Sequence, residues 1–166
     1  MTGEDQDMIC WHFLPANRMT RWNSQLVTVG QTLISPDSLK LCESGLHASV
    51  KALDALQYAP GPIICRVELG GKIVQDKDKC VASKRTCRAM NDATETLRYF
   101  ARWCALSVTD KWDAFVLDYL MTGDKKIRAA AGDAARDAAW AAARAAQEEE
   151  LSRLLTECLD VARIRT

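Results

Sequence analysis

The chain has 166 residues, and its 22 Lys and Arg are balanced by 22 Asp and Glu, so its formal net charge is zero. That length suits one domain with a substantial core, or one domain with an appendage. The balanced charge excludes a general nucleic-acid coat, which would need a net basic surface.

The first ninety residues carry the pattern of short strands. Residues 1–8 are polar and acidic, which predicts a flexible tail. The apolar run Ile9–Leu14 predicts a buried strand, and residues 26–34 predict one bulged strand or two short ones around Gly30. Residues 39–42 alternate between apolar and polar side chains as a strand does.

A short helix and a hairpin follow. Ser49 is placed to cap a helix that ends before the Pro60-Gly61-Pro62 breaker. Residues 63–69 alternate most regularly and predict a strand, after which Gly70-Gly71 predicts a tight hairpin turn into residues 72–74. Further short extended pieces around 80–82 and 86–90 complete a β-rich first half.

The hydrophobic period changes to that of a helix at Asn91. Two packing helices are predicted within 91–123, and a long Ala-rich helical arm within 124–166. Of the 24 Ala residues in the chain, 12 fall within 129–146. Gly132 is the weak point of the arm, so the sequence leaves open whether the helix is continuous or broken there.

The predicted fold class is therefore α+β. A small, mostly antiparallel sheet with one crossing helix occupies residues 9–90, and a helical C-terminal half follows. The sequence has no apolar run of about 18 residues and no secretory leader pattern, which predicts a cytoplasmic protein.

The seven Cys residues are odd in number and contain no CxxC pair, which argues against a disulfide framework. One metal-binding alternative remains, because Cys10 and His12 share a strand face and Cys42 and His47 flank the Gly45 turn. If the two segments were neighbours, these four side chains would form a Cys2His2 zinc site. The spacings match no common zinc module, so we expect ordinary buried Cys and His and no metal.

Four segments resemble the first half of the ADP-ribosyltransferase fold. They are Trp11-His12-Phe13, Gly45-Leu46-His47-Ala48-Ser49, the helix ending in Tyr58, and Cys65-Arg66-Val67-Glu68-Leu69-Gly70. The resemblance implies a catalytic site that uses NAD, in which His12 orients the nicotinamide ribose and His47 replaces a stacking Tyr. The family's late Glu has no evident match, since the chain is predicted to be helical from residue 92.

A longer resemblance is to an uncharacterised domain family of bacteriophage and prophage genomes. It is carried by Leu41–Ser49, Leu53–Gly61 and Cys65–Ile73, together with the Ala/Arg/Asp-rich tail. This resemblance implies a mobile-element origin and the cytosol of a bacterial host. The leading hypothesis is accordingly an accessory protein that binds and inhibits a host protein or ribonucleoprotein complex, for example as an anti-CRISPR. We expect binding rather than catalysis, and the ADP-ribosyltransferase-like enzyme with NAD is the alternative.

Two surfaces are candidates for contact with a partner. A local basic stretch could grip a phosphate backbone or an acidic protein surface; its residues are Lys77, Lys79, Lys84, Arg85 and Arg88. The long arm offers Trp140, a large anchor among small residues, with Arg136 and Arg144 nearby. The apolar stripe at the end of the arm leaves open a third reading, a structural protein that forms a homodimer through the long helix.

Overall fold

A computed structural model describes residues 7–21, 24–35, 38–41, 43–108, 114–124 and 144–164. The elements are β1 (Met8–Leu14), β2 (Thr32–Ile34), β3 (Leu46–Ala48), α1 (Ala52–Gln57), β4 (Ile63–Gln75), β5 (Cys80–Asp92), α2 (Thr94–Val108), α3 (Ala114–Thr122) and α4 (Arg144–Ile164). The five strands form one antiparallel sheet. The α+β class is thereby confirmed.

The long β4–β5 hairpin is the centre of the sheet. β1 pairs with the free edge of β4, while β2 and β3 both pair with the free edge of β5, at different heights. The outer edge of β1 also meets the end of β3, where Trp11 and Ser49 exchange backbone hydrogen bonds of 2.7 and 2.9 Å. The sheet therefore curls so that its first and third strands come together.

The hairpin turn lies later than the sequence predicts. Gly70 and Gly71 lie inside β4, and the chain reverses at residues 76–79, where the Asp76 amide donates to the Lys79 carbonyl. Gly71 has a φ of +67° and sits at a register shift between Gly70 and Ile73. The two glycines form an irregularity rather than a turn, and the short pieces predicted within 80–90 are one continuous strand.

Three further predictions need correction. Of residues 26–34, only Thr32–Ile34 form a strand. The predicted strand at 39–42 is wrong for its described part, which forms a turn with a single bridge from Lys40 to Ser44, because the Lys40 amide bonds back to the Ser44 carbonyl. Ser49 caps no helix: its backbone is bonded to Trp11, and α1 begins three residues later, at Ala52.

One face of the sheet forms the main core. Its buried side chains pair across neighbouring strands, as Cys10 does with Val67 and Val67 with Cys87. The opposite face carries Trp11, whose ring lies 4.1 Å from the guanidinium carbon of Arg66 on the adjacent strand. This alternation is what places polar side chains such as His12 on the core side.

The chain divides into two compact units, one of Met1–Ala93 with Leu155–Thr166 and one of Thr94–Leu154. In the second unit, Ala105 of α2 and Leu120 of α3 form a small buried cluster. α3 ends at Gly123, whose φ of +71° lets its amide donate to the Tyr119 carbonyl at 2.7 Å. In the first unit, the Asn91 side-chain amide donates to the Cys158 carbonyl at 2.6 Å.

Of the predicted arm, the described part is α4. Residues 125–143, which include Gly132, Arg136 and Trp140, lie outside the described residues. Within the described part of the chain, no helix is both long and apolar enough to cross a membrane.

Candidate functional site

A cavity of about 910 Å³ opens beside β1, β3 and β5. Its described lining includes five basic side chains and one acidic one: His12, Arg21, His47, Lys79 and Arg85, against Glu43. Aromatic and aliphatic residues supply much of the remaining wall. A concave, largely apolar chamber with a few converging polar groups is the usual form of a small-molecule site.

The topology of the sheet brings the two histidines into this cavity. His12 on β1 is paired with Cys65 of β4, and His47 on β3 is paired with Val81 of β5. Their strands are far apart in the sheet order, but the Trp11–Ser49 bridge joins them at the cavity wall. The two residues that the ADP-ribosyltransferase resemblance selects thus line one chamber.

Arg85 is the most buried of the basic lining residues. It pairs with Leu33 on one side and Leu69 on the other, so its side chain lies on the core face of the sheet. Its exposed fraction is 6 %, and its Nη1 donates a 2.6 Å hydrogen bond to the His47 carbonyl. Burial lowers the pKa of the Arg85 guanidinium to about 10, which still leaves it charged at neutral pH.

Both histidines are held in the neutral state. Burial lowers the pKa of His12 well below its usual value, and the nearby charge of Arg85 and the imidazole of His47 lower it further. Burial also lowers the pKa of His47, which feels both Arg85 and Lys79. At neutral pH a neutral imidazole carries one N–H donor and one acceptor nitrogen, and the hydrogen bond between His47 and the Gly45 backbone opposes the effect of burial on the His47 pKa.

Tyr58 and Lys79 stand on another side of the cavity. The Tyr58 hydroxyl donates a 2.6 Å hydrogen bond to Asp78, which raises the pKa of the phenol. The Lys79 ammonium lies 5.1 Å from the centre of the Tyr58 ring, within the range of a cation–π contact. These contacts tie the end of α1 to the β4–β5 turn.

Glu43 is the acidic residue among the described lining residues. Its carboxylate forms a 2.7 Å salt bridge with Lys40, three residues earlier in the same turn. Sequence reasoning about a late Glu missed it, because it precedes the His47 segment rather than following a late strand.

The structure separates the five residues of the predicted basic stretch. Arg85 and Lys79 line the cavity, while Lys77 and Lys84 are exposed. Arg88 is also exposed and forms a two-pronged salt bridge with Glu68 at 2.6 and 2.9 Å. Of the arm residues, Arg144 is exposed at the start of α4, whereas Arg136 and Trp140 lie outside the described residues.

The cysteines behave as buried thiols. Cys10, Cys65, Cys80, Cys87 and Cys104 are buried and unbridged, and burial is the main reason that the pKa of the Cys10 thiol is raised to about 12. Among the described residues no group of three or more His, Cys, Asp and Glu side chains could hold a metal ion. Cys42 lies outside the described residues, so the hypothetical Cys2His2 site stays a prediction.

The sequence analysis placed Arg85 on a basic surface stretch and missed its place in the cavity lining. It grouped Arg85 with its basic neighbours and did not consider the alternation of buried and exposed residues along β5. Arg85 has the same parity as Cys87 and Ala89, which are buried, whereas Lys84 and Arg88 share the opposite parity and are exposed. An Arg in register with small apolar residues is a candidate for an inward-pointing charge.

Comparison with known proteins gives a family but no activity. A family model described as a domain of unknown function, DUF7666, matches residues 4–98. No curated protein and no solved structure matches the chain. The matched span contains the whole sheet and all of the described residues that line the cavity.

Proposed function

This chain belongs to the DUF7666 family, a domain of unknown function, and from its cavity we propose that it binds NAD as an ADP-ribosyltransferase-like domain. The observation that carries the proposal is that His12 and His47 line one cavity. The resemblance assigned these two residues to the nicotinamide ribose and the nicotinamide ring. Their convergence supports the assignment because it depends on long-range pairing rather than on sequence spacing.

The dimensions and the chemistry of the cavity suit such a ligand. Its volume of about 910 Å³ lies within the range of roughly 300–1,000 Å³ found for small-molecule sites. The two neutral imidazoles can hydrogen-bond to ribose hydroxyls, and the basic lining complements a pyrophosphate. Much of the remaining wall is apolar, as the flat face of a nicotinamide or adenine ring requires.

Glu43 is the carboxylate that the described lining offers for chemistry. Transfer of ADP-ribose breaks the bond between the nicotinamide nitrogen and the ribose carbon, and neutral nicotinamide leaves with the electron pair. The ribose carbon then forms a bond to a nucleophile of an acceptor or to water, which gives up a proton. A carboxylate near the ribose stabilises the positive charge that develops on the sugar. The resemblance gives that role to a late Glu. In this chain we assign it to Glu43, which lies four residues before His47 and lines the same cavity.

Binding of NAD is tested by saturation-transfer NMR and by thermal shift on the full chain. We expect NAD to bind the native protein and to raise its melting temperature, and we expect His12→Ala and His47→Ala to abolish both effects. Lys77→Ala is the matched control, because Lys77 is exposed at the hairpin turn and is absent from the cavity lining. Unchanged NAD binding in both histidine variants would contradict the proposal.

Catalysis is tested separately from binding. Incubation of the protein with NAD should release nicotinamide, and Glu43→Gln should slow the release without weakening NAD binding in proportion. NAD binding without any turnover, in the presence of host extract as acceptor, would leave a binding domain and overturn the transferase assignment.

A second candidate function is the phage-type inhibitor that binds a host macromolecular complex. The observation that favours it is an exposed pair at the edge of the sheet, where Ile34 of β2 lies opposite Lys84 of β5 and is 75 % exposed. An exposed apolar side chain beside an exposed basic one offers apolar contact and positive charge to an acidic partner surface.

The two candidates respond to different variants. Affinity capture from a bacterial host, followed by mass spectrometry, should recover a complex that Lys84→Glu no longer retains. NAD binding should survive that substitution, because Lys84 is absent from the described lining of the cavity. Retention of the same proteins by Lys84→Glu would contradict a contact at this edge, and the self-associating helix stays a prediction for light scattering to decide.

A further inference from the structure

Among the described residues, Arg85 is a buried charge without an acidic partner. Its exposed fraction is 6 %, and its hydrogen bond goes to the backbone carbonyl of His47 rather than to a carboxylate. Within the described part of the chain, no Asp or Glu oxygen lies within 4.0 Å of its guanidinium. A guanidinium has five N–H donors, and the His47 carbonyl occupies one of them.

Three arginines that are more exposed differ from Arg85 in that each has an acidic partner. Arg88, Arg98 and Arg153 each form a salt bridge with a nearby Glu, although all three are far more exposed. Exposed charges gain little from pairing, because water already solvates them. A buried charge is costly when it is left unpaired, so the missing counter-charge at Arg85 calls for a physical explanation.

No carboxylate among the described side chains around Arg85 neutralises its positive charge. His12 and His47 lie on the cavity side and are neutral, and Lys79, the further basic group near His47, adds positive charge. Towards the core lie two thiols, Cys65 and Cys87. Cys65 is a protonated donor, so Cys87 is the one internal group that could become an anion beside Arg85.

We propose that Arg85 is the anchor for a phosphate group of the ligand, at the inner side of the cavity. The guanidinium presents a planar fork that matches two phosphate oxygens, and the neutral imidazole of His12 beside it adds an N–H donor. Arg85 lines the cavity, so a phosphate that enters the chamber can reach it. The ligand class is a phosphate ester or anhydride, as in a nucleoside diphosphate.

This inference deepens the proposed function and rests on it for the identity of the nucleotide. The anchor itself follows from the geometry of Arg85, and it predicts affinity for the phosphate chemistry alone. The pyrophosphate could therefore belong to NAD or to another ligand, and titrations with separate compounds distinguish these sources.

The experiment is isothermal titration of the full chain with inorganic pyrophosphate, ADP and NAD, for the native protein and four variants. Cys87→Ala removes the thiol beside Arg85. Arg85→Gln removes the charge but keeps a donor for the His47 carbonyl. Arg85→Lys keeps the charge but loses the fork. Arg88→Gln is the matched control, since it removes an exposed guanidinium from the same strand.

We expect pyrophosphate to bind the native protein, Arg85→Gln to weaken binding at least about tenfold, Arg85→Lys to give an intermediate loss, and Arg88→Gln to change nothing. A loss of about tenfold corresponds to one charge-assisted hydrogen bond. If Arg85→Gln does not fold, Arg85→Lys alone decides, because equal binding by that variant overturns the two-oxygen contact.

The outcomes separate the anchor from the NAD proposal. Pyrophosphate binding that depends on Arg85, without NAD binding, supports the anchor and contradicts NAD as the ligand. NAD binding that is equal in the native protein and in Arg85→Gln overturns the anchor and leaves the proposed function standing. Pyrophosphate binding that appears only in Cys87→Ala overturns the anchor too, because it identifies a Cys87 thiolate as the native counter-charge of Arg85.

Discussion

The Arg85 guanidinium donates a 2.6 Å hydrogen bond to the backbone carbonyl of His47, and this bond fastens β5 to β3 at the wall of the cavity. It joins a buried charge to the Gly45–Ser49 segment, which the sequence analysis singled out for other reasons. A ligand that draws on the Arg85 charge would therefore act directly on the segment that positions His47.

The neutral state of His12 makes stability depend on pH. Its pKa is well below the usual value in the folded protein, so in mildly acidic solution the unfolded chain binds a proton that the folded chain does not. The free energy of unfolding should fall as pH drops below about 6.5, by up to about 1.4 kcal/mol per pH unit for each such histidine.

Urea unfolding at several pH values between about 5.5 and 7.5 measures this slope. His12→Gln should flatten it, because the variant has no imidazole to titrate. A native protein whose stability is constant across that range, or a variant with the same slope, would show that folding does not lower the pKa of His12.

Gly45 sets the backbone that presents His47. Its φ is +111°, and a Cβ at this position would stand 2.3 Å from Cγ2 of Val81 and 2.9 Å from Cδ2 of Leu39. Gly30 is a matched control, since its φ is +84° but no atom lies within 4 Å of the corresponding Cβ. We expect Gly30→Ala to cost about 1–2 kcal/mol from backbone strain alone, and Gly45→Ala to cost at least about 3 kcal/mol. Denaturant unfolding measures the free energy of unfolding of both variants. Equal losses would mean that the turn at Gly45 rearranges at little cost to accommodate a Cβ.

The fold class and the clearest strand could be predicted from the sequence because both depend on local alternation. The hairpin turn could not, because two adjacent glycines suit a tight turn and a strand irregularity equally well, and only the pairing of β4 with β5 decides between them. Ser49 shows the same limit, since its bond to Trp11 overrides its propensity to cap a helix.

The candidate site, like the fold, could be predicted from the sequence only in part. His12 and His47 were identified by short motifs, but their meeting depends on the Trp11–Ser49 bridge, which joins segments almost forty residues apart. Arg85 was assigned to a basic surface because charge was counted along the chain rather than across the sheet. Its burial follows from its partners Leu33 and Leu69, which no local window contains.

The pKa of Tyr58 tests whether its hydrogen bond to Asp78 at the cavity wall is present in solution. The hydrogen bond to Asp78 is the main reason that the pKa of Tyr58 is raised above its usual value. Asp78→Asn removes the negative acceptor, so the pKa of Tyr58 should return towards about 10. Asp76→Asn is the control, because the Asp76 carboxylate accepts the Lys77 amide instead.

The titration is followed by NMR of ring-labelled tyrosine, which resolves Tyr58 from the other two tyrosines of the chain. An unchanged Tyr58 pKa in Asp78→Asn would mean that the contact between α1 and the β4–β5 turn does not persist in solution.

The most direct test of the cavity as a nucleotide site uses the two histidines of the chain as reporters. Their ring-proton NMR signals, assigned with His12→Gln and His47→Gln, are recorded while NAD is added to the native protein. The account predicts that both signals shift together and saturate at one dissociation constant, because both rings line the same chamber. Two signals that stay in place up to millimolar NAD would contradict it.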